Sequence, residues 1–213
     1  MTALLAGAAH AQADPVTFGQ TGLNTAIPDN DPSGISFTLT VSGLGAGSSL
    51  SEASVGVTHP WVGDLIYTLS HGGTTVTLMF RPGSKDPNIL TDSSNLSSSH
   101  PLLFSAAGLA AATTVGAGCV ANETVGVDAG CLNTSFIPDD AFSAFDGIDL
   151  NGEWLLNVAD VITLDRGSLD NWALTFDDQQ QTLTVPEPAG LALVLLAGVS
   201  AWVARHRRVS DQT

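Results

Sequence analysis

The 213-residue chain carries 21 acidic against 6 basic residues, a net charge of −15, and only 13% of its residues are charged. With 22 glycines and 10 prolines, it has the composition of a β-rich exported domain rather than of a helical bundle or coiled coil, which would need many Glu, Lys and Arg. So acidic a chain repels a phosphate backbone, which excludes a nucleic-acid partner. Its acids either keep the surface solvated or hold cations such as Ca²⁺.

Residues 1–13 (MTALLAGAAHAQA) are small and apolar. They end in Ala9-His10-Ala11 and Ala11-Gln12-Ala13, both of the A-x-A form that a signal peptidase cleaves. The segment has neither the basic n-region nor the long apolar stretch of a complete signal peptide, so it reads as a remnant of one whose start lies upstream.

One domain is expected over residues 14–184, where 19 acids face 3 bases (Arg81, Lys85 and Arg166) for a net −16. Residues 35–41 (ISFTLTV) alternate apolar and polar with the period of two that marks a half-buried strand. Residues 54–58 (SVGVT), 65–69 (LIYTL) and 75–80 (TVTLMF) read in the same way, with Ser70-His71-Gly72-Gly73 as a hairpin-like turn between the last two. The stretch 82–146 breaks the rhythm with Ser, Gly and Ala, and predicts large loops with one or two strands near 102–105. Cys119 and Cys131 lie there, enclosing eleven polar and Gly-rich residues. In an exported protein they are expected to form a disulfide, and two Cys without nearby His are too few for zinc. Residues 154–158 (WLLNV) and 172–176 (WALTF) supply two more strands, joined by an Asp165-Arg166-Gly167 turn. Trp61, Trp154 and Trp172 read as core, the last two inside apolar strands; for Trp61, in a Pro-containing entry loop, the alternative is exposure to a partner or sugar. The pattern is all-β: an antiparallel jelly-roll β-sandwich of about eight strands, with a single hydrophobic helix at the C-terminus.

That helix is expected at residues 189–204 (AGLALVLLAGVSAWVA). As a helix it would reach about 24 Å, a little short of the hydrocarbon thickness of a bilayer. Pro186-Glu187-Pro188 precede it, and Arg205, Arg207 and Arg208 follow, fixing the basic end on the cytoplasmic side. A Val-Pro-Glu-Pro box, one apolar span and an arginine cluster over residues 185–208 resemble the PEP-CTERM sorting signal. The resemblance implies a Gram-negative bacterium, an inner-membrane intermediate, and removal of the tail by an exosortase-type enzyme.

The domain itself carries a second resemblance. Thr58-His59-Pro60-Trp61-Val62-Gly63-Asp64-Leu65, the run ending in Arg81-Pro82, Gly152-Glu153-Trp154-x-Leu156-x-Val158-x-Asp160 and Gly167-x-Leu169-x-x-Trp172-x-Leu174 occur in this order. Together they resemble the P domain, or Homo B domain, over about 155 residues. The resemblance implies an eight-stranded jelly roll of the kind that follows the subtilisin-like catalytic domain in proprotein convertases and bacterial serine proteases. Many members have Arg-Gly-Asp where this chain has Val62-Gly63-Asp64, so no role of that arginine transfers.

Proteolysis would need an Asp, a His and a Ser brought together by a separate catalytic domain of some 250–300 residues, for which the chain has no room. None of the five histidines has the flanking glycines of a subtilase block, and no Gly-x-Ser-x-Gly elbow occurs. No enzymatic activity is expected. Asp64 and Asp160 stand at strand ends, where a carboxylate bonds backbone N–H groups of a turn. The same two could instead converge with Asp140 (or Asp139 or Asp146) on Ca²⁺, which takes six to eight oxygens, and Asp29 with Asp31 form another candidate pair. The expected role is a binding or structural component of the cell surface or exopolysaccharide matrix. The alternative is an accessory module for a secreted subtilisin-like protease.

Overall fold

The structure, a computed structural model, describes residues 14–83 and 92–178. The chain divides into a unit Met1–Gln180 and a second unit, Gln181–Thr213. The signal remnant at 1–13, the motif Pro186, Glu187 and Pro188, the span 189–204 and Arg205, Arg207 and Arg208 lie outside the described residues. Among the described residues, no helix is long and apolar enough to cross a membrane.

Among the described residues ten strands follow one another: β1 (Asp14–Ile27), β2 (Asp31–Val41), β3 (Ser49–Thr58), β4 (Leu65–His71), β5 (Thr74–Phe80), β6 (Leu102–Phe104), β7 (Ala110–Ala111), β8 (Ser135–Ile137), β9 (Gly152–Asp160) and β10 (Gly167–Asp178). They form a six-stranded sheet, β1-β10-β3-β6-β8-β7, and a four-stranded sheet, β2-β9-β4-β5. The apolar faces of the two sheets meet. Trp154 of β9 lies edge-on to Phe176 of β10 at 5.4 Å between ring centroids, and Tyr67 of β4 edge-on to Phe104 of β6 at 6.3 Å. Such edge contacts are the favoured aromatic geometry, and burial of these rings supplies much of the driving force for folding.

Side-chain alternation explains who faces inward. In β4, Leu65, Tyr67, Leu69 and His71 are buried while the residues between them are half-buried. In β9, Trp154, Leu156, Val158 and Asp160 share the inward face. The hairpin between β4 and β5 turns on Gly72 and Gly73, whose φ values of 57° and 84° are those a two-residue turn of this hand demands.

Two expectations are corrected. Among the described residues the strands number ten rather than about eight, because the edge strand β1 and the short β7 and β8 also pair. Nor is the pairing antiparallel throughout: β8 runs parallel to both β6 and β7. These segments of two or three residues arrive from loops, so their direction is set by the loop path and not by a hairpin. The 82–146 stretch is otherwise irregular, with 3-10 turns at Ala112–Thr114 and Phe142–Phe145.

Candidate functional site

Asp160 closes β9 on the core face and is fully buried. Register places it opposite Leu65 of β4 on one side and Asp31 of β2 on the other. The chain reaches β4 through His59, Trp61 and a 3-10 turn, Val62–Asp64, so the Thr-His-x-x-x-Gly-Asp-Leu segment passes directly beside Asp160. His59 Nε2 lies 3.2 Å from Asp160 Oδ2, and both side chains are completely buried. The Trp61 amide donates to His59 Nδ1 at 3.1 Å. Nδ1 is therefore an acceptor, the ring carries its proton on Nε2, and that proton is donated to Asp160. The other carboxylate oxygen of Asp160 accepts from the Ile162 amide at 3.1 Å. Gly167 makes room for the ring: a Cβ there would meet Thr58 O at 2.3 Å and His59 Cδ2 at 2.5 Å.

Asp64 is also buried, 4% exposed. Burial, then the nearby Asp160 and Asp165, push it up to about 7, against the opposing pull of Arg81. Burial raises Asp160 as well, opposed by its hydrogen bonds from Ile162 and His59. Arg81, itself buried, holds the turn by donating from Nε to Gly63 O at 3.2 Å. Asp29 completes this end of the sandwich: its Oδ1 accepts from the Leu164 amide at 3.1 Å and its Oδ2 lies 3.8 Å from Arg166 Nε.

Asp140 is engaged elsewhere. Its amide donates to Thr77 O at 2.9 Å and its Oδ2 accepts from the Thr77 amide at 2.8 Å. Asp139 does the same for Leu78 O and the Phe80 amide. The pair thus covers the outer edge of β5, which would otherwise present free backbone groups. Asp146 donates its amide to Ser143 O, and Asp31 accepts from the Ser33 amide in a local turn. Cys119 and Cys131 are joined by a disulfide. They form with Glu123 the one group of three potential metal ligands within 4.8 Å among the described residues, and the disulfide removes both sulfurs from metal binding. Of the tryptophans, Trp154 and Trp172 are buried and Trp61 is half-buried.

His59 and Arg81 stand in the quoted motifs, yet their roles were not legible there, because neither partner is close in sequence. A second buried histidine, His71, belongs in the sequence to a turn-like Ser70-His71-Gly72-Gly73 but in the structure ends β4. The signal for it was the alternation of β4, which continues two residues past Leu69 and puts His71 inside.

No protein-family model matches the chain, and no curated protein does. Among solved structures, it is similar to a chain in the complex of Aeromonas sobria serine protease (ASP) with the chaperone ORF2. The identity is 17% over 80% of this chain, with a TM-score of 0.39. This chain spans 27% of the length of that one.

Proposed function

We propose that this chain is an exported, non-catalytic, P-domain-like module, held by its C-terminal sorting signal until an exosortase-type enzyme removes it. It then acts as a binding or structural component at the cell surface or in the exopolysaccharide matrix. The observation that carries the non-catalytic reading is the state of the His59–Asp160 pair. A general base must reach a substrate proton, and this pair is sealed with 0% side-chain exposure, His59 being bonded through both nitrogens to the scaffold. The motif that suggests a protease family is spent here on joining the start of β4 to the end of β9.

Ca²⁺ is proposed at the Asp64 end. A buried carboxylate beside the like charges of Asp160, Asp165 and Asp29 is a fit for a cation, and Asp140 is committed to β5. A bound cation would neutralise Asp64 and tie the loop after β9 to the turn before β4.

The second reading is an accessory partner of a secreted subtilisin-like protease. It is favoured by Leu109, Val120, Val127 and Leu132, apolar side chains 48–81% exposed within the irregular stretch that carries the disulfide.

The test is recovery of the protein from its native host by fraction, with intact mass, followed by co-sedimentation with purified host exopolysaccharide and by incubation with the host's secreted proteases. The first reading expects a species beginning near Gln12 and ending near Val185 that sediments with polymer. A full-length species confined to the inner membrane would overturn export and release. A protease whose half-life rises only in the presence of this protein, without polymer binding, would replace the first reading by the second.

A further inference from the structure

The opposite end of β9 carries an arrangement that the proposed function does not use. His71, 6% exposed, closes β4 opposite Trp154 and lies flat on its indole, with centroids 4.2 Å apart and planes 7° from parallel. Its Nδ1 is 2.8 Å from the Glu153 carbonyl oxygen, and its Nε2 is 2.7 Å from the Asp149 carbonyl oxygen. Carbonyl oxygens only accept. An imidazole with one proton donates from one nitrogen and would set the lone pair of the other against a carbonyl lone pair. Both bonds are made together only by the doubly protonated ring.

The surroundings suit that charge. The face of an indole attracts a cation. The Asp149 carboxylate is held below its usual range by the amide and side chain of Asn151, with His71 a smaller contributor. Glu153, whose carbonyl takes the other bond, points its own carboxylate to solvent. Neither β5, which pairs with His71 through Thr74, nor the 3-10 turn that places Phe145 on Trp154 carries a titratable side chain.

The bond to Asp149 is one of the contacts that hold a loop walling a cavity; Trp154 Nε1 also donates to Leu150 O at 2.9 Å. Gly147, Ile148, Asp149, Leu150 and Asn151 line one side of a volume of about 470 Å³, and residues 44–48 line the other. Asn151 spans the two walls: its Oδ1 accepts from the Leu44 amide at 2.9 Å and its Nδ2 donates to Leu44 O at 3.1 Å. Asp178 holds the second wall through the Gly45 amide at 2.8 Å.

We propose that His71 is a proton-operated clasp, whose doubly protonated ring holds Asp149 against the sandwich and whose deprotonation frees the 147–149 segment and reshapes the cavity it lines. The clasp is closed on the acid side and opens as pH rises, because loss of one ring proton removes one of the two donors. Of the two acceptors, Glu153 lies within β9 and is held by its ladder, so the Asp149 bond gives way, while Leu150 and Asn151 stay tied to Trp154 and Leu44. The inference does not depend on the identity of any polymer or protease partner.

The test is a ¹⁵N two-bond correlation spectrum of the full chain titrated from about pH 5 to about pH 9, a range that brackets imidazole titration. His71→Gln identifies the signals. Both ring nitrogens of His71 are expected to carry protons at the acid end. One should lose its proton as pH rises, while amide exchange at 147–149, corrected for its intrinsic pH dependence, increases about tenfold as that segment opens. Repeating the titration in Asp64→Asn separates this step from Asp64, which titrates at the other end of the sheet. A nitrogen that is unprotonated at about pH 5, or loop exchange that shows no step when the ring titrates, would overturn the proposal. If His71→Gln does not fold, the ring is identified in the unaltered protein by its through-space contact with Trp154.

Discussion

The two ends of β9 bury the same side chain and give it opposite tasks. At the Asp160 end, His59 accepts at Nδ1 and donates at Nε2, so one proton satisfies the ring and its charge partner is a carboxylate. At the Trp154 end, His71 faces a carbonyl oxygen at each nitrogen and needs two protons. The difference teaches that burial alone does not decide what a histidine does: the acceptors and donors around it do. The first end is a fixed joint, and the second depends on pH.

Asp160→Ala should have the largest effect. It leaves the His59 Nε2–H and the Ile162 amide unpaired in the core, at a cost of about 3–5 kcal/mol, read as a fall in the denaturation midpoint. A cost under about 1 kcal/mol would break the view of this end as a joint.

Asp64→Asn sharpens the same end in the opposite direction. With its folded value at about 7 against 3.8 as the ordinary value, Asp64 binds its proton more tightly in the folded state. Its contribution is therefore present below 3.8 and lost as pH climbs toward 7. Above that, Asp64→Asn should be more stable than the parent by roughly 2–4 kcal/mol without added metal, with little difference in acid. If Ca²⁺ binds there, millimolar Ca²⁺ should raise the melting temperature of the parent and not of the variant, and EGTA should reverse the gain.

Replacing Cys119 and Cys131 by Ser removes a constraint remote from both ends. Loop-closure entropy for a separation of 12 residues sets the cost at about 2–3 kcal/mol, and the His71 titration should be unchanged. Tyr67→Phe, in the middle of β4, removes a buried hydroxyl that has no hydrogen-bond partner among the described residues. It should be neutral or stabilising by about 1 kcal/mol in thermal unfolding. Asp140→Ala should cost least, about 0.5–1 kcal/mol, because it frees one exposed edge amide of β5. It should leave any Ca²⁺ response intact.

Residue alternation in the sequence determined much of this protein. The period of two over 35–41, 65–69, 75–80 and 154–158 placed four strands of one sheet and their apolar faces, and put Trp154 and Trp172 in the core. Alternation is a local property, so it survives without knowledge of partners. The same rule, carried to the ends of β4 and β9, already puts His71 and Asp160 on the inward faces. What it could not supply was the neighbour. His59 meets Asp160 across 101 residues, and His71 meets Asp149 across 78. Asp140 stood beside Asp64 and Asp160 as an equal candidate because a carboxylate in a sequence carries no address. Only the tertiary structure decided that Asp140 closes a sheet edge, that Asp64 is buried beside Asp160, and that one histidine needs one proton and the other two. Hydrogen bonds are directional and short-ranged, and the groups that make them are set side by side by sheet register rather than by sequence distance.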